Sequence, residues 1–67
     1  MEQYLNLSGK SGVFEYEFGD DYIMIMFDSG KVVSYNFDED GEEDVREMMN
    51  LAKAGEGLQR FLNEKYK

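Results

Sequence analysis

The sequence predicts an α+β fold, a three-stranded antiparallel meander packed with one or two C-terminal helices. Residues 13–37 contain three short apolar and aromatic runs, and turn residues separate them. Residues 42–66 instead carry apolar side chains at helical spacing. A chain of 67 residues has room for only one small core. Residues 1–67 are therefore expected to form a single domain.

The predicted strands cover residues 13–18, 22–28 and 31–37. The first strand alternates strictly between two faces. Its aromatic side chains, Phe14, Tyr16 and Phe18, share one face. Its two acids, Glu15 and Glu17, share the other face. The second strand is apolar on both faces, which is typical of the middle strand of a sheet.

A two-residue hairpin turn at Ser29-Gly30 gives the predicted register. It pairs Phe27 with Val32, Ile25 with Ser34 and Met24 with Tyr35. The three aromatic residues of the first strand then share the core face with Ile23, Ile25 and Phe27. The opposite face is expected to show a Met/Tyr surface beside Glu15 and Glu17: Tyr22, Met24, Met26, Val33, Tyr35 and Phe37. That surface is left for residues 1–8, a second copy or a partner to cover.

The two ends of the chain complete the predicted domain. Residues 1–12 form an N-terminal arm, which is either an edge strand or a cover over the core. Helices are predicted at residues 42–54 and 58–66, with the first helix ending at Gly55. Asp40 and Glu43 are spaced like a capping box at the start of the first helix.

Negative charge is concentrated in the middle of the chain. The net charge is −8, and eleven of the 15 acidic residues lie between Ser11 and Val45, where Lys31 is the one base. The dipole of the first helix accounts for Glu42, Glu43 and Asp44 in its first turn, but not for the other acids. The surplus predicts a surface that binds a basic partner. The predicted partner-binding residues are Glu15, Glu17, Asp20, Asp21, Asp38, Glu39, Asp40, Glu42, Glu43, Asp44 and Glu47.

Composition limits the chemistry that the chain can perform. It contains neither histidine nor cysteine, so the usual nucleophilic triads and zinc sites are excluded. Acids alternate from Asp38 to Asp44 as in a calcium loop, but Gly41 stands two residues earlier than an EF-hand needs. A paired-carboxylate hydrolase stays formally open. We expect no enzymatic activity, no cofactor and no metal.

The start of the chain has no basic leader followed by a long apolar run. Its longest apolar stretch is far shorter than the roughly 20 residues of a membrane helix. We therefore expect a soluble, cytoplasmic protein without a membrane partner.

Several short motifs carry a family resemblance. They are Ile23-x-Ile25-x-Phe27, Gly30, an aromatic pair at alternate positions, Ala54-Gly55-x-Gly57, and Phe61-Leu62-Asn63 followed by Tyr66. With them, the run from Val13 to Tyr66 resembles the small KTSC-type domain, found at the C-terminus of some lysyl-tRNA synthetases and free-standing in bacteria and phages. That family's Tyr-x-Tyr is replaced here by Val33-Ser34-Tyr35 or, two residues later, Tyr35-Asn36-Phe37. The resemblance implies the fold and a link to RNA, for which the C-terminal region offers Lys53, Arg60, Lys65 and Lys67.

Charge and chemistry together favour a non-enzymatic acidic binding module over that RNA link. The expected partner is a basic nucleic-acid-binding protein or complex, with no direct binding of nucleic acid. In its sharper form, the protein mimics nucleic-acid phosphates, as small phage inhibitors such as anti-CRISPR proteins do. The alternatives are an RNA- or tRNA-synthetase-associated domain, and a structural domain that dimerises through the Met/Tyr surface. The chain is expected to be a monomer or a weak dimer.

Overall fold

A computed structural model describes residues 1–66 and shows a small α+β domain. Its strands are β1 (Glu2–Gln3), β2 (Val13–Phe18), β3 (Tyr22–Phe27) and β4 (Val32–Asn36). Its helices are α1 (Phe37–Asp40), α2 (Glu42–Ala54) and α3 (Leu58–Lys65). The strands form one antiparallel sheet in the order β1-β2-β3-β4. The fold class is confirmed, but the described residues form four strands and three helices rather than three strands and one or two helices.

The N-terminal arm provides the additional strand. Glu2 pairs with Tyr16, so β1 extends the sheet at its edge. The next residue, Tyr4, is buried, and its hydroxyl accepts a hydrogen bond from the Leu58 backbone N–H at 3.3 Å. The arm then runs towards the end of α2, where Leu7 N–H donates to the Gly55 carbonyl at 2.8 Å. It is thus an edge strand that contributes one core side chain, and it does not cover the second face of the sheet.

The predicted register between β3 and β4 is wrong by one residue. Their turn contains residues 28–30, because Phe27 N–H donates to the Lys31 carbonyl at 2.8 Å. Gly30 has a φ of 91° there, as the last residue of a three-residue hairpin loop requires. Ile25 consequently pairs with Val33 instead of Ser34. Since side chains alternate between the faces, this shift moves Val33 and Tyr35 from the open face to the helix side.

A β-bulge changes the facing of β2 near its start. The register between β2 and β3 shifts between Val13 and Glu15, which leaves Phe14 as an extra residue. Val13 is therefore buried, whereas Phe14, predicted to lie in the core, is 49% exposed. Beyond the bulge, Tyr16 and Phe18 keep their predicted place on the core face, with their rings stacked.

The core lies between one face of the sheet and the two longer helices. Its buried side chains are Tyr4, Val13, Tyr16, Ile23, Ile25, Val45, Met48, Ala52, Leu58 and Leu62. The side chains from α2 recur at helical spacing, as the sequence predicts. Burial of such apolar surface is the main stabilising contribution in a domain without disulfides.

The acidic run of residues 38–44 lies on α1 and on the first turn of α2. Residues 37 to 40, predicted as the end of a strand and a loop, form α1, whose first turn is capped by Asn36 Oδ1 accepting from Glu39 N–H at 2.8 Å. The predicted capping box is wrong, because α2 begins after Gly41 without a side-chain cap. The predicted end of α2 at Gly55 is confirmed, where φ is 80°.

Candidate functional site

Four exposed acidic residues lie on two adjacent segments at one end of the sheet, which we call the acidic end: Asp20, Asp21, Asp38 and Glu39. The first two lie in the β2–β3 turn and the other two on α1. A backbone hydrogen bond of 3.0 Å from Phe37 N–H to the Asp21 carbonyl joins these segments. The sheet therefore brings together acids that are 17 or more positions apart in the sequence.

The first turn of α2 carries three further acidic residues. Only Gly41 separates α1 from α2, which starts with Glu42, Glu43 and Asp44. Glu42 Oε2 accepts a hydrogen bond from Arg46 Nε at 2.7 Å, which confirms the favourable i,i+4 spacing in the sequence. Asp44 forms an ion pair with Lys65 of α3. Two of these three acids thus have cationic partners within the chain.

Asp40 has a structural role that the sequence pattern did not indicate. Its Oδ2 accepts from the Asn36 backbone N–H at 3.1 Å, and its Oδ1 accepts from the Tyr66 hydroxyl at 2.7 Å. The Tyr66 ring stacks on Tyr35 of β4 at 5.3 Å. Burial, and then the hydrogen bond to Asp40, raises the pKa of Tyr66 above the usual tyrosine value. Asp40 therefore links the end of α3 to the end of β4, and both of its carboxylate oxygens already accept hydrogen bonds.

Glu15 and Glu17 lie on a different surface, the open sheet face, which no helix covers in the described part of the chain. The face is formed by the strand residues that point away from the helices: Gln3, Glu15, Glu17, Tyr22, Met24, Met26, Val32, Ser34 and Asn36. Its methionines lie outside the buried cluster and are partly exposed. Glu17 pairs with Met24 towards the acidic end, and Glu15 lies further away beside Met26. Glu15 and Glu17 therefore lie on a different surface from the predicted acids of the β2–β3 turn and α1.

Most of the predicted acids have no partner within residues 1–66. Eight form neither an ion pair nor a side-chain hydrogen bond there: Glu15, Glu17, Asp20, Asp21, Asp38, Glu39, Glu43 and Glu47. Two bases on α2 and α3, Arg46 and Lys65, already pair with acids, and each also lies over an aromatic ring. Unneutralised like charges on a small domain repel one another and favour a cationic partner.

Across residues 1–66, acidic side chains do not converge into a group of three that could hold a metal ion. In the same part of the chain, every helix is too short or too polar to cross a membrane.

Of the basic residues suggested for RNA binding, the three that the structure describes lie on two different helices, α2 and α3. Lys53 lies near the end of α2 over the Phe18 ring, at 5.7 Å from its centroid. Arg60 Nε pairs with Glu64 Oε1 at 3.2 Å, and Lys65 pairs with Asp44. Lys67 lies outside the described residues. Two of the four are therefore neutralised by neighbouring acids, which weakens the case for direct RNA binding.

No model of a known protein family, no curated protein and no solved structure matches this chain. The resemblance to the KTSC-type domain stays a prediction.

Proposed function

We propose that this chain is a non-enzymatic binding module whose acidic end binds the positively charged surface of a nucleic-acid-binding protein. The supporting observation is the hydrogen bond from Phe37 N–H to the Asp21 carbonyl, which joins the acids of the β2–β3 turn to those of α1. Their four carboxylates are exposed and have no cationic partner among residues 1–66. Such an arrangement attracts a basic surface and speeds its association with the protein.

The sharper form of the proposal is phosphate mimicry. Glu43 and Glu47 are exposed, have no ion pair within the described chain and lie one helical turn apart on α2. Side chains at this spacing are separated by about 5–6 Å, which is similar to the distance between neighbouring phosphates. Lysine and arginine side chains that neutralise phosphates would bind these carboxylates instead. The protein would then act as a competitor of nucleic acid, as an inhibitor of the anti-CRISPR type does.

Two matched variants test the proposal, because they change net charge equally at different places. The acidic-end variant is Asp20→Asn/Asp38→Asn/Glu39→Gln. The matched control variant is Glu2→Gln/Asp28→Asn/Glu56→Gln, whose exposed acids lie outside the acidic end and make no ion pair in residues 1–66. Each removes three negative charges, so any difference between them depends on position.

The proteins are immobilised and exposed to the heparin-binding fraction of an extract from cells that naturally contain the chain. That fraction is enriched in basic nucleic-acid-binding proteins. We expect wild type and the matched control variant to retain the same protein, to release it as salt rises and to release it to an added oligonucleotide. The acidic-end variant should retain much less. Equal retention by both variants, or retention that salt does not weaken, would contradict the proposal.

A further inference from the structure

The open sheet face forms a second surface with its own charge pattern. Its centre is apolar, with Tyr22, Met24 and Met26 on β3 and Val32 on β4, the last 49% exposed. One side is lined by the two acids of β2, with Gln3 of β1 beside Glu15, and the other by the polar residues of β4. None of the described positions on this face carries a basic side chain.

We propose that the open sheet face binds a basic amphipathic helix of a partner protein. This site is separate from the acidic end and does not depend on the function proposed for that end. The helix would place its apolar stripe on the methionines and its lysine or arginine side chains beside Glu15 and Glu17.

The shape of the face suits a helix better than an extended strand. The axes of β2 and β4 lie about 10 Å apart across β3, similar to the diameter of a helix. A helix satisfies its own backbone hydrogen bonds, whereas a strand laid across methionine and tyrosine side chains would leave backbone groups unpaired. Methionine side chains are flexible and polarisable, so they adapt to the side chains of a helix.

Charge favours a basic partner over a second copy of this chain as the occupant of the open sheet face. Glu15 and Glu17 are two positions apart on one strand, hence about 7 Å apart along it. Basic residues at i and i+4 on a helix rise by about 6 Å, which matches that spacing. A second copy would instead bring another net charge of −8 onto a face without a base to offset it, which opposes association.

The test uses a 14-residue peptide of leucine and lysine with leucine at helical spacing, about 21 Å long when helical. A peptide of the same pattern with glutamate in place of lysine is the control. Binding is followed by NMR of the methionine methyl groups, since Met24 and Met26 lie on the face and the fully buried Met48 serves as an internal control. We expect saturable shifts at Met24 and Met26 with the lysine peptide, little change at Met48, and no binding of the glutamate peptide.

Variants then separate the apolar contribution from the charged one. Met24→Thr/Met26→Thr should weaken binding by about tenfold or more, because apolar contact is lost at two positions. Glu15→Gln/Glu17→Gln should weaken binding and reduce its salt dependence. The acidic-end variant should weaken peptide binding no more than the matched control variant does.

Three results would overturn the inference. The first is the absence of shifts at Met24 and Met26, or equal binding of the glutamate peptide. The second is a shift of both methyl groups with protein concentration alone, which would assign the face to a second copy. The third is loss of peptide binding in the acidic-end variant only, which would move the peptide site to the acidic end. The capture experiment tests only the acidic end. A negative result there would not change the shifts expected at Met24 and Met26, so the two proposals can fail separately.

Discussion

Replacing Asp40 by alanine should destabilise the domain without affecting its exposed charge pattern elsewhere. The substitution removes two acceptor contacts, one to Asn36 N–H at 3.1 Å and one to the Tyr66 hydroxyl at 2.7 Å. Hydrogen bonds to charged groups contribute roughly 1.5–3 kcal/mol when buried, but both partners here are partly exposed. We therefore expect the free energy of unfolding to fall by about 1–2 kcal/mol. For a domain of this size, the melting temperature should fall by about 5–15 °C.

The assay is urea unfolding followed by far-ultraviolet circular dichroism, with Asp38→Ala as the matched control. Asp38 is exposed and makes no side-chain contact of this kind in residues 1–66, so its loss should change stability by less than about 0.5 kcal/mol. A double-mutant cycle with Tyr66→Phe should show coupling between Asp40 and Tyr66. Equal stability of the two aspartate variants, or zero coupling, would refute the structural role of Asp40.

Three further predictions concern the backbone, salt and pH. Gly55→Ala should destabilise the domain by about 1–3 kcal/mol in thermal unfolding, because φ is 80° there and a Cβ would lie 2.6 Å from the Leu5 Cβ. Gly9→Ala is the control, since Gly9 also has a positive φ but has open space around it. Equal losses of stability in the two variants would contradict a steric clash at Gly55. Added sodium chloride should raise the melting temperature, and the acidic-end variant should melt above wild type at low salt, because repulsion between carboxylates is reduced; a melting temperature that is independent of salt would argue against such repulsion. Burial raises the pKa of Tyr4, so the unfolded state loses the hydroxyl proton first and stability should decline above about pH 10; urea unfolding that stays constant from pH 8 to 11 would contradict this.

The periodicity of the sequence predicts most of the fold. The bounds of β2 and α2 agree with the predicted residues 13–18 and 42–54. Their patterns are strong because each element has one buried and one solvated face. The strand β1 was harder to predict, since two residues are too few to show alternation.

The register could not be derived from the side chains alone. A two-residue and a three-residue loop are both compatible with Asp28-Ser29-Gly30, and the observed loop depends on backbone geometry at Gly30. One residue of difference places Tyr35 on the helix side, where it stacks with Tyr66. The bulge at Phe14 has a similar cause, because alternation in the sequence does not show where a strand gains an extra residue.

The candidate site was predictable as a set of acids but not as a surface. Sequence position could not show that Asp21 lies beside α1, because that contact depends on the pairing of β3 with β4. It also could not distinguish the engaged Asp40 from the exposed Asp38 two positions earlier. Long-range hydrogen bonds make that distinction, and the local pattern instead suggested a helix cap.

The most direct test of the central claim is a competition measurement with the protein captured from the heparin-binding fraction. The dissociation constant between the purified partner and this chain is measured with increasing amounts of an oligonucleotide that the partner binds. We predict that the oligonucleotide displaces wild type and the matched control variant, and that the acidic-end variant binds at least about tenfold more weakly than either. Simultaneous binding of oligonucleotide and chain, with equal affinity for the two variants, would contradict the claim that the acidic end occupies a nucleic-acid-binding surface.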